Sequence, residues 1–183
     1  NIRAACDGKA ASVLSVDVQS KNVQPPKLFD LTTLQREANR IYGFTAQQTL
    51  DYLQSLYEMK LATYPRTDSK YLTEDMRGTV GGVIAIIRKS MVPTQQDISP
   101  NVEQIIDNSK VTDHHAIIPT MEISKVDVSA LPAGERDVLL LVAMRLLCAP
   151  AEKHSFDAVT ALLECEWPPC TAKGKAIQHA GWK

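Results

Sequence analysis

The chain has 183 residues, of which 44% are hydrophobic and 22% are charged, which is ordinary for a globular protein and excludes a disordered chain. The formal net charge is −1. The basic excess of many nucleic-acid binders is therefore absent, and any DNA-binding role must rest on particular residues. The longest apolar run, residues 138–143, is too short to span a bilayer, so we expect no membrane partner.

The cysteines and the two ends of the chain indicate its context. Cys6, Cys148, Cys165 and Cys170 form no C-x-x-C pair, so the common zinc-binding spacing is absent and we interpret them as reduced thiols of a cytosolic protein. The chain does not begin with Met and ends directly after a strand-like pattern. We therefore expect it to be an internal piece of a longer protein.

The first part of the chain predicts one strand and two helices. Apolar and polar residues alternate over 10–20, which predicts a half-buried β-strand. After the break at Pro25-Pro26, Thr32-x-x-Gln35 and Thr45-x-x-Gln48 both have the spacing of a capping box at a helix start. Gly43 is suited to the end of the first of these helices, and the second is predicted to run to about Lys60.

The remaining pattern predicts further helices and then strands. A third helix starts near Thr73 and Asp75, residues 92–129 are irregular with a short helix near 102–106, and a strong helix over 133–148 is buried on more than one face. Segments 158–166 and 176–182 are predicted strands on either side of Pro168-Pro169. The fold class is therefore α+β, mainly α, with a helical domain inserted into a β-rich domain.

The segment around Tyr64 carries the chemistry. Pro65 restricts Tyr64 to extended conformations, so Tyr64 and Arg66 are predicted to project to the same side. A phenol can act as a nucleophile, and a guanidinium can donate two parallel hydrogen bonds to a phosphodiester. The pair is suited to transesterification at phosphate, although Tyr-Pro-Arg alone is also typical of a surface turn.

Residues 64–69, Tyr-Pro-Arg-Thr-Asp-Ser, resemble the active-site segment of type IA DNA topoisomerases. Further blocks resemble the family in the same order and at comparable spacing: Pro26–Phe29, Thr33–Ala38, Gln54–Glu58 and Asp113–Thr120. Pro65 directly after the tyrosine is similar to the topoisomerase III branch, where the topoisomerase I branch usually has methionine. The blocks anchor the resemblance over about residues 25–120.

The resemblance implies a role for each matching residue. Tyr64 matches the nucleophile that forms a 5′-phosphotyrosine bond with one DNA strand, and Arg66 matches the arginine that positions the scissile phosphate. His114 and Gln54 match residues that lie on or near the bound strand. The other residues grouped with the DNA-binding set are expected to hold the loop in shape: Thr63, Thr67, Asp68 and Ser69.

The resemblance also implies what surrounds this chain. Mg²⁺ and a general-acid glutamate are expected in a Toprim domain outside it, so the chain alone is expected to be inactive. The implied partners are single-stranded or underwound DNA and the rest of the parent chain, in the bacterial cytoplasm with the nucleoid. In the family's ring-shaped fold, residues 28–152 would form the helical tyrosine domain, residues 1–27 and 153–183 would be pieces of a β-rich strap, and the linkers at Pro25-Pro26 and near Pro150 would be hinges.

Alternative interpretations remain open. A tyrosine recombinase would need a His-x-x-Arg element, which the sequence lacks. A non-catalytic helical DNA-binding module fits the neutral charge, and topoisomerase I or reverse gyrase are neighbours within the family. His114-His115 is not expected to bind a metal, because adjacent residues rarely serve one ion alone. Trp167 and Trp182 could stack on bases, but packing against strands is favoured.

Overall fold

The computed structural model describes residues 6–91, 100–165 and 169–183. The chain divides into two compact units: a helical unit of residues 25–152 with Trp182, and a sheet unit of the residues before 25 and after 152, Trp182 excepted. The described residues form four α-helices and a three-stranded sheet, so the α+β class is confirmed. None of these helices is long and apolar enough to cross a membrane. Trp167, Pro168 and residues 92–99 of the predicted irregular stretch lie outside the described residues.

The sheet unit contains strands β1 (Ser12–Val23), β2 (His154–Glu164) and β3 (Cys170–His179), antiparallel in that order. β1 confirms the strand predicted over 10–20 and extends it. The strands predicted over 158–166 and 176–182 were placed too late. Their bounds follow backbone pairing along the whole ladder, from Ser155 with His179 to Leu163 with Cys170, rather than the apolar residues that suggested them.

The apolar face of β1 is exposed in the described structure. Leu14, Val16 and Val18 have exposed fractions of 50%, 57% and 56%, so the prediction of a half-buried strand is wrong here. Alternation identifies which face of a strand is apolar, but it does not determine what covers that face. No described element of the sheet unit covers it enough to bury these side chains.

The helical unit contains α1 (Leu31–Tyr42), α2 (Ala46–Glu58), α3 (Arg77–Ser90) and α4 (Ala133–Cys148). Short 3₁₀ turns connect them: Glu74–Met76, Val102–Ile105, Asn108–Lys110, Met121–Lys125 and Val128–Ala130. The turn at Val102–Ile105 confirms the short helix predicted near 102–106, and the turn at Glu74–Met76 leads into the predicted third helix.

The caps of α1 and α2 explain where both helices begin and end. Asp30, not Thr32, caps α1, because its carboxylate accepts a hydrogen bond from the Thr33 amide at 2.6 Å. The predicted capping box at Thr45 and Gln48 is present at the start of α2. Gly43 ends α1 with φ of 73°, a left-handed conformation that glycine adopts without strain, and thereby confirms the predicted helix end.

The core of the helical unit surrounds α4. This helix has the predicted bounds and buries side chains on more than one face: Val138, Leu139, Leu141, Val142, Ala143 and Leu146. Because the surrounding helices and loops bury these side chains together, they form one continuous apolar core with residues from α1, α2 and α3. The burial pattern confirms the interpretation of α4 as a central helix.

Irregular segments cross within this unit and position the candidate site. Phe29 pairs with Ile117 and Ala62 with Pro119 in antiparallel bridges, and Leu72 pairs with Ile106 in a parallel one. The chain around Tyr64 is thus held by backbone hydrogen bonds to a segment far away in sequence. Short pairings of this kind give an irregular loop a defined position without a regular sheet.

Candidate active site

Tyr64 lies directly after the bridge between Ala62 and Pro119. The preceding Thr63 is bonded on both sides: its amide donates to the Ile118 carbonyl at 3.0 Å, and its hydroxyl donates to the Ala116 carbonyl at 3.2 Å while accepting from the Ile118 amide at 3.0 Å. Pro65, the next residue, is buried. The backbone on both sides of Tyr64 is therefore fixed, and the ring itself stays half-buried.

The Tyr64 ring packs between two other rings. His114 lies against it with 4.1 Å between ring centroids, and Tyr57 meets it edge-on at 5.5 Å. Tyr57 belongs to α2, whereas His114 comes from the segment that pairs with the chain around Tyr64. These contacts restrict the rotation of the phenol without closing it off from solvent.

Arg66 is exposed and is held by α2 as well. Its Nη1 donates to Oε1 of Gln54 at 3.2 Å, and Nε2 of Gln54 donates to Glu58 at 3.0 Å. Gln54 and Tyr57 are one helical turn apart, so they share a face of α2. Tyr64 and Arg66 therefore both face this side of α2, as the alternation of an extended segment predicts.

Thr67 and Ser69 are buried, with exposed fractions of 8% and 4%. The Thr67 hydroxyl donates to the His114 carbonyl at 2.7 Å, and the Ser69 hydroxyl donates to the Lys110 carbonyl at 2.8 Å. Both side chains thus tie the active-site segment to residues 110–114. Asp68, between them, is exposed. Because both side chains are buried and hydrogen-bonded within the protein, they stabilise the conformation of the loop.

An open groove of about 490 Å³ borders Arg66 and His114. Three segments line it, namely residues 30–32 at the start of α1, residues 66–68 and residues 112–114. His114, which also packs on the Tyr64 ring, connects the wall of the groove to the phenol-bearing residue. Its walls carry one guanidinium and several carboxylates, among them Asp68 and Asp113, so its charge is mixed.

Several residues of the site were not predicted from the sequence. Tyr57 lies in the Gln54–Glu58 block but was given no role there, yet its ring contacts the Tyr64 ring. Asp30 and Thr112 line the groove, and only the cap signal of an Asp before Leu-Thr-Thr could have identified Asp30. Thr112 gave no local signal, because the fold alone brings it to this place.

The described residues contain no group of three or more His, Cys, Asp or Glu side chains that could hold a metal ion. His115 points its Nδ1 toward the Ala116 carbonyl at 2.8 Å instead of sharing a site with His114. The donor set of this region therefore does not fit a Mg²⁺ ion. What the arrangement offers chemically is a positioned phenol and a guanidinium that both contact α2, with the guanidinium in the wall of an open groove.

Comparison with known proteins identifies a matching family model and similar sequences. The family model described as DNA topoisomerase matches residues 1–183. DNA topoisomerase 3 of Bacillus cereus is 39% identical over 187 residues, which cover 97% of this chain and 25% of that protein. DNA topoisomerase 3 of Bacillus subtilis is 37% identical over 184 residues, which cover 96% of this chain and 25% of that protein. The chain thus spans about a quarter of the length of these relatives.

A solved structure is similar as well. Full-length topoisomerase I from Thermotoga maritima matches with a TM-score of 0.67 and 21% sequence identity, over 96% of this chain and 29% of that chain. At this level of identity the similarity is one of fold.

Proposed function

Because the chain belongs to the type IA DNA topoisomerase family and is similar to its topoisomerase III members, we propose that it carries the nucleophile of an enzyme that cleaves one DNA strand, passes a strand through the break and religates it without ATP. The observation that carries this proposal is the position of Tyr64, which packs on Tyr57 and on His114, a residue that lines an open groove together with Arg66. The fixed phenol supplies the nucleophile, and the groove gives a DNA strand access to it.

The proposed cleavage is a transesterification. The phenol oxygen of Tyr64 attacks the phosphorus, the new O–P bond forms, and the bond from phosphorus to the 3′-oxygen of the preceding nucleotide breaks. The phenol proton leaves to a base, and the departing 3′-oxygen takes up a proton. The product is a 5′-phosphotyrosine bond, which keeps the free energy of the broken linkage, so attack by the 3′-hydroxyl reverses the step without ATP.

Arg66 is proposed to hold the scissile phosphate with its guanidinium and to stabilise the negative charge that develops on it. Gln54, bonded to Arg66 at 3.2 Å, is then a positioning residue that sets the direction of this guanidinium. His114 is proposed to contact the DNA beside Tyr64, because it lines the groove and packs on the phenol ring. Thr63, Thr67 and Ser69 maintain the loop, and exposed Asp68 faces the strand.

Other parts of the reaction are proposed to lie outside this chain. The described residues do not form a magnesium site, and the chain spans about a quarter of its curated relatives. We therefore assign the Mg²⁺ ligands and the general acid to a Toprim domain elsewhere in the enzyme, and expect the 183-residue chain to be inactive alone. The proposed substrate is single-stranded or underwound DNA.

The test uses a chimera, hereafter the topoisomerase chimera, in which this chain replaces the matching segment of Bacillus subtilis DNA topoisomerase 3. The chimera is incubated with single-stranded DNA and Mg²⁺ and is then denatured. We expect DNA labelled at its 3′ end to remain bound to protein and DNA labelled at its 5′ end to be released, because the downstream fragment carries the phosphotyrosine. Tyr64→Phe should abolish this adduct.

Tyr57→Phe is the matched control, since it removes a hydroxyl from the ring next to Tyr64 and keeps the ring contact. It should retain the adduct. An adduct that survives Tyr64→Phe would assign the nucleophile to another residue. No adduct from a folded chimera that contains Tyr64 would favour the non-catalytic DNA-binding module instead.

A further inference from the structure

A second feature of the helical unit is a tyrosine with two lysines on it. The Nζ atoms of Lys27 and Lys110 lie 4.9 Å and 4.6 Å from the centroid of the Tyr71 ring. Both lysines are exposed and the Tyr71 ring is half-buried. Two ammonium groups that converge on one ring repel each other, so an anion that lies near both of them would be stabilised.

The backbone of each lysine is anchored. The Lys110 carbonyl accepts the hydrogen bond of the buried Ser69 at 2.8 Å, and the Lys27 carbonyl accepts from Nη1 of Arg145 at 3.0 Å. The Arg145 guanidinium in turn lies 3.9 Å above the Phe29 ring. The two ammonium groups thus extend from fixed backbone positions, which lowers the entropy cost when they bind a ligand together.

The charges of this cluster are only partly compensated. Lys110 pairs with Asp107 at 2.9 Å, whereas no carboxylate of the described residues is within ion-pair distance of Lys27. Asp30, the nearest acidic residue in sequence, pairs with Lys70 at 3.4 Å instead. A hydrogen bond from Lys27, with a smaller contribution from Lys110, lowers the pKa of the Tyr71 phenol, which indicates a local field that favours negative charge.

Each of the three segments that line the groove is close in sequence to one residue of this cluster. Residues 30–32 follow Lys27, residues 66–68 precede Tyr71, and residues 112–114 follow Lys110. His114, at the end of the third segment, packs on Tyr64, and Lys110 lies two residues before the start of that segment. Each residue of the cluster is thus only two or three positions in sequence from a residue that lines the groove.

We propose that Lys27, Lys110 and Tyr71 bind a backbone phosphate of the DNA strand that occupies the groove, at a position away from the cleaved linkage. This inference rests on the proposed function, because it takes a DNA strand as the ligand of the groove. If the segment from Tyr64 to Tyr71 were fully extended, the Cα atoms of these two residues would be at most about 25 Å apart. A few nucleotides of a DNA strand span this distance. Two lysine ammonium groups and a phenol hydroxyl supply the donors that one phosphate accepts.

The test measures binding of a fluorescent single-stranded oligonucleotide to the chain by anisotropy, with no cleavage required. We expect Lys27→Gln combined with Lys110→Gln to weaken binding by roughly ten-fold or more, because each substitution removes one charge-assisted hydrogen bond. The slope of log K against log salt, measured between about 50 and 200 mM, should fall in magnitude by about 0.7, because the variant neutralises one phosphate fewer on the single strand.

The matched control is Lys89→Gln combined with Lys125→Gln. It removes the same charge from the same unit, and Lys125 pairs with Glu122 at 2.9 Å much as Lys110 pairs with Asp107. The control should leave the slope unchanged. Equal affinity and equal slope for the two double variants would overturn the proposal, as would a wild-type chain that does not bind the oligonucleotide.

A further variant separates this inference from a folding defect. Lys110→Gln alone changes an exposed side chain in a loop, and it should still reduce the salt slope while its thermal unfolding stays that of the wild type. The adduct assay in the topoisomerase chimera is independent of these titrations. An adduct at Tyr64 with an unaltered slope for the lysine variants would refute the phosphate site and leave the proposed function standing.

Discussion

Arg66 is the exposed cation of the candidate active site, and α2 sets its direction through Gln54. The hydrogen bond of 3.2 Å between them links the helix to the active-site segment. A guanidinium that is held in place before the substrate arrives loses less conformational entropy on binding and stabilises developing charge without reorganisation. The same helix face supports the phenol through Tyr57.

The rate of adduct formation in the topoisomerase chimera tests this arrangement. Arg66→Ala should lower the single-turnover rate by roughly 10²-fold or more, since it removes a donor that acts on the transition state. Gln54→Ala should lower it about ten-fold, because Arg66 remains but loses its support. Gln47→Ala is the matched control, as Gln47 makes the same type of bond within α2, to Asp51 at 2.7 Å. A Gln54→Ala rate equal to that of Gln47→Ala would show that Gln54 does not position Arg66.

At the level of single residues, the sequence predicted the shared direction of Tyr64 and Arg66 better than it predicted the residues around them. The shared direction of Tyr64 and Arg66 follows from one local restriction, the extended backbone before Pro65. Tyr57 was missed because an aromatic residue in a helix stripe is equally expected in a core, and its role depends on what packs against it. Thr112 was missed because it reaches the site only through long-range bridges such as Ala62 with Pro119.

At the scale of the element, the start of α1 matters most for the site, since its first residues line the groove. Two candidate caps compete there, because both Asp and Thr can accept a hydrogen bond from an amide two or three residues on. The capping-box spacing of Thr32 and Gln35 favoured Thr32. The structure selects Asp30, which in addition accepts from the Thr33 hydroxyl at 2.6 Å and pairs with Lys70.

Thermal unfolding of the chain distinguishes the two caps. Asp30→Ala should lower the free energy of unfolding by about 1 kcal/mol, the usual loss for an N-cap carboxylate. Thr32→Ala should change it by less than about 0.5 kcal/mol, since Thr32 is exposed and makes no cap bond. The reverse order of the two effects would mean that α1 begins at Thr32 in solution.

The strands show why element bounds are harder to predict than element types. β3 contains Gly174 between two lysines, a pattern with little β character of its own. Its position depends on backbone pairing with β2, for example Val159 with Gly174. In contrast, α4 was predicted with the correct bounds, because a long apolar helix carries its signal in every turn.

At the scale of the whole molecule, each unit has its own internal order. The sheet unit pairs Val23 at the end of β1 with His154 at the start of β2, so the chain leaves the sheet and returns to it at neighbouring positions. This pairing supports the proposal that the helical unit is an insertion into a strap domain. The hinges at Pro25-Pro26 and near Pro150 stay predictions. The sequence pattern of β1 alone was insufficient to predict that its apolar face is exposed.

Tyr64, and no other tyrosine of this chain, is proposed to bond to DNA. Tyr71 is the strongest alternative, because a lowered pKa makes its phenol easier to ionise, and Tyr57 is a tyrosine whose ring contacts that of Tyr64. Trypsin separates the three residues, since the peptide Leu61–Arg66 contains Tyr64 alone, while Tyr57 falls in the peptide that ends at Lys60 and Tyr71 follows Lys70.

The most direct measurement is therefore peptide mass mapping of the covalent adduct from the topoisomerase chimera after nuclease digestion. If Tyr64 is the nucleophile, we expect a residual nucleotide mass on the peptide Leu61–Arg66. The peptides that contain Tyr57 and Tyr71 should be unmodified. Nucleotide on the peptide that begins at Tyr71, or on the one that ends at Lys60, would contradict this assignment.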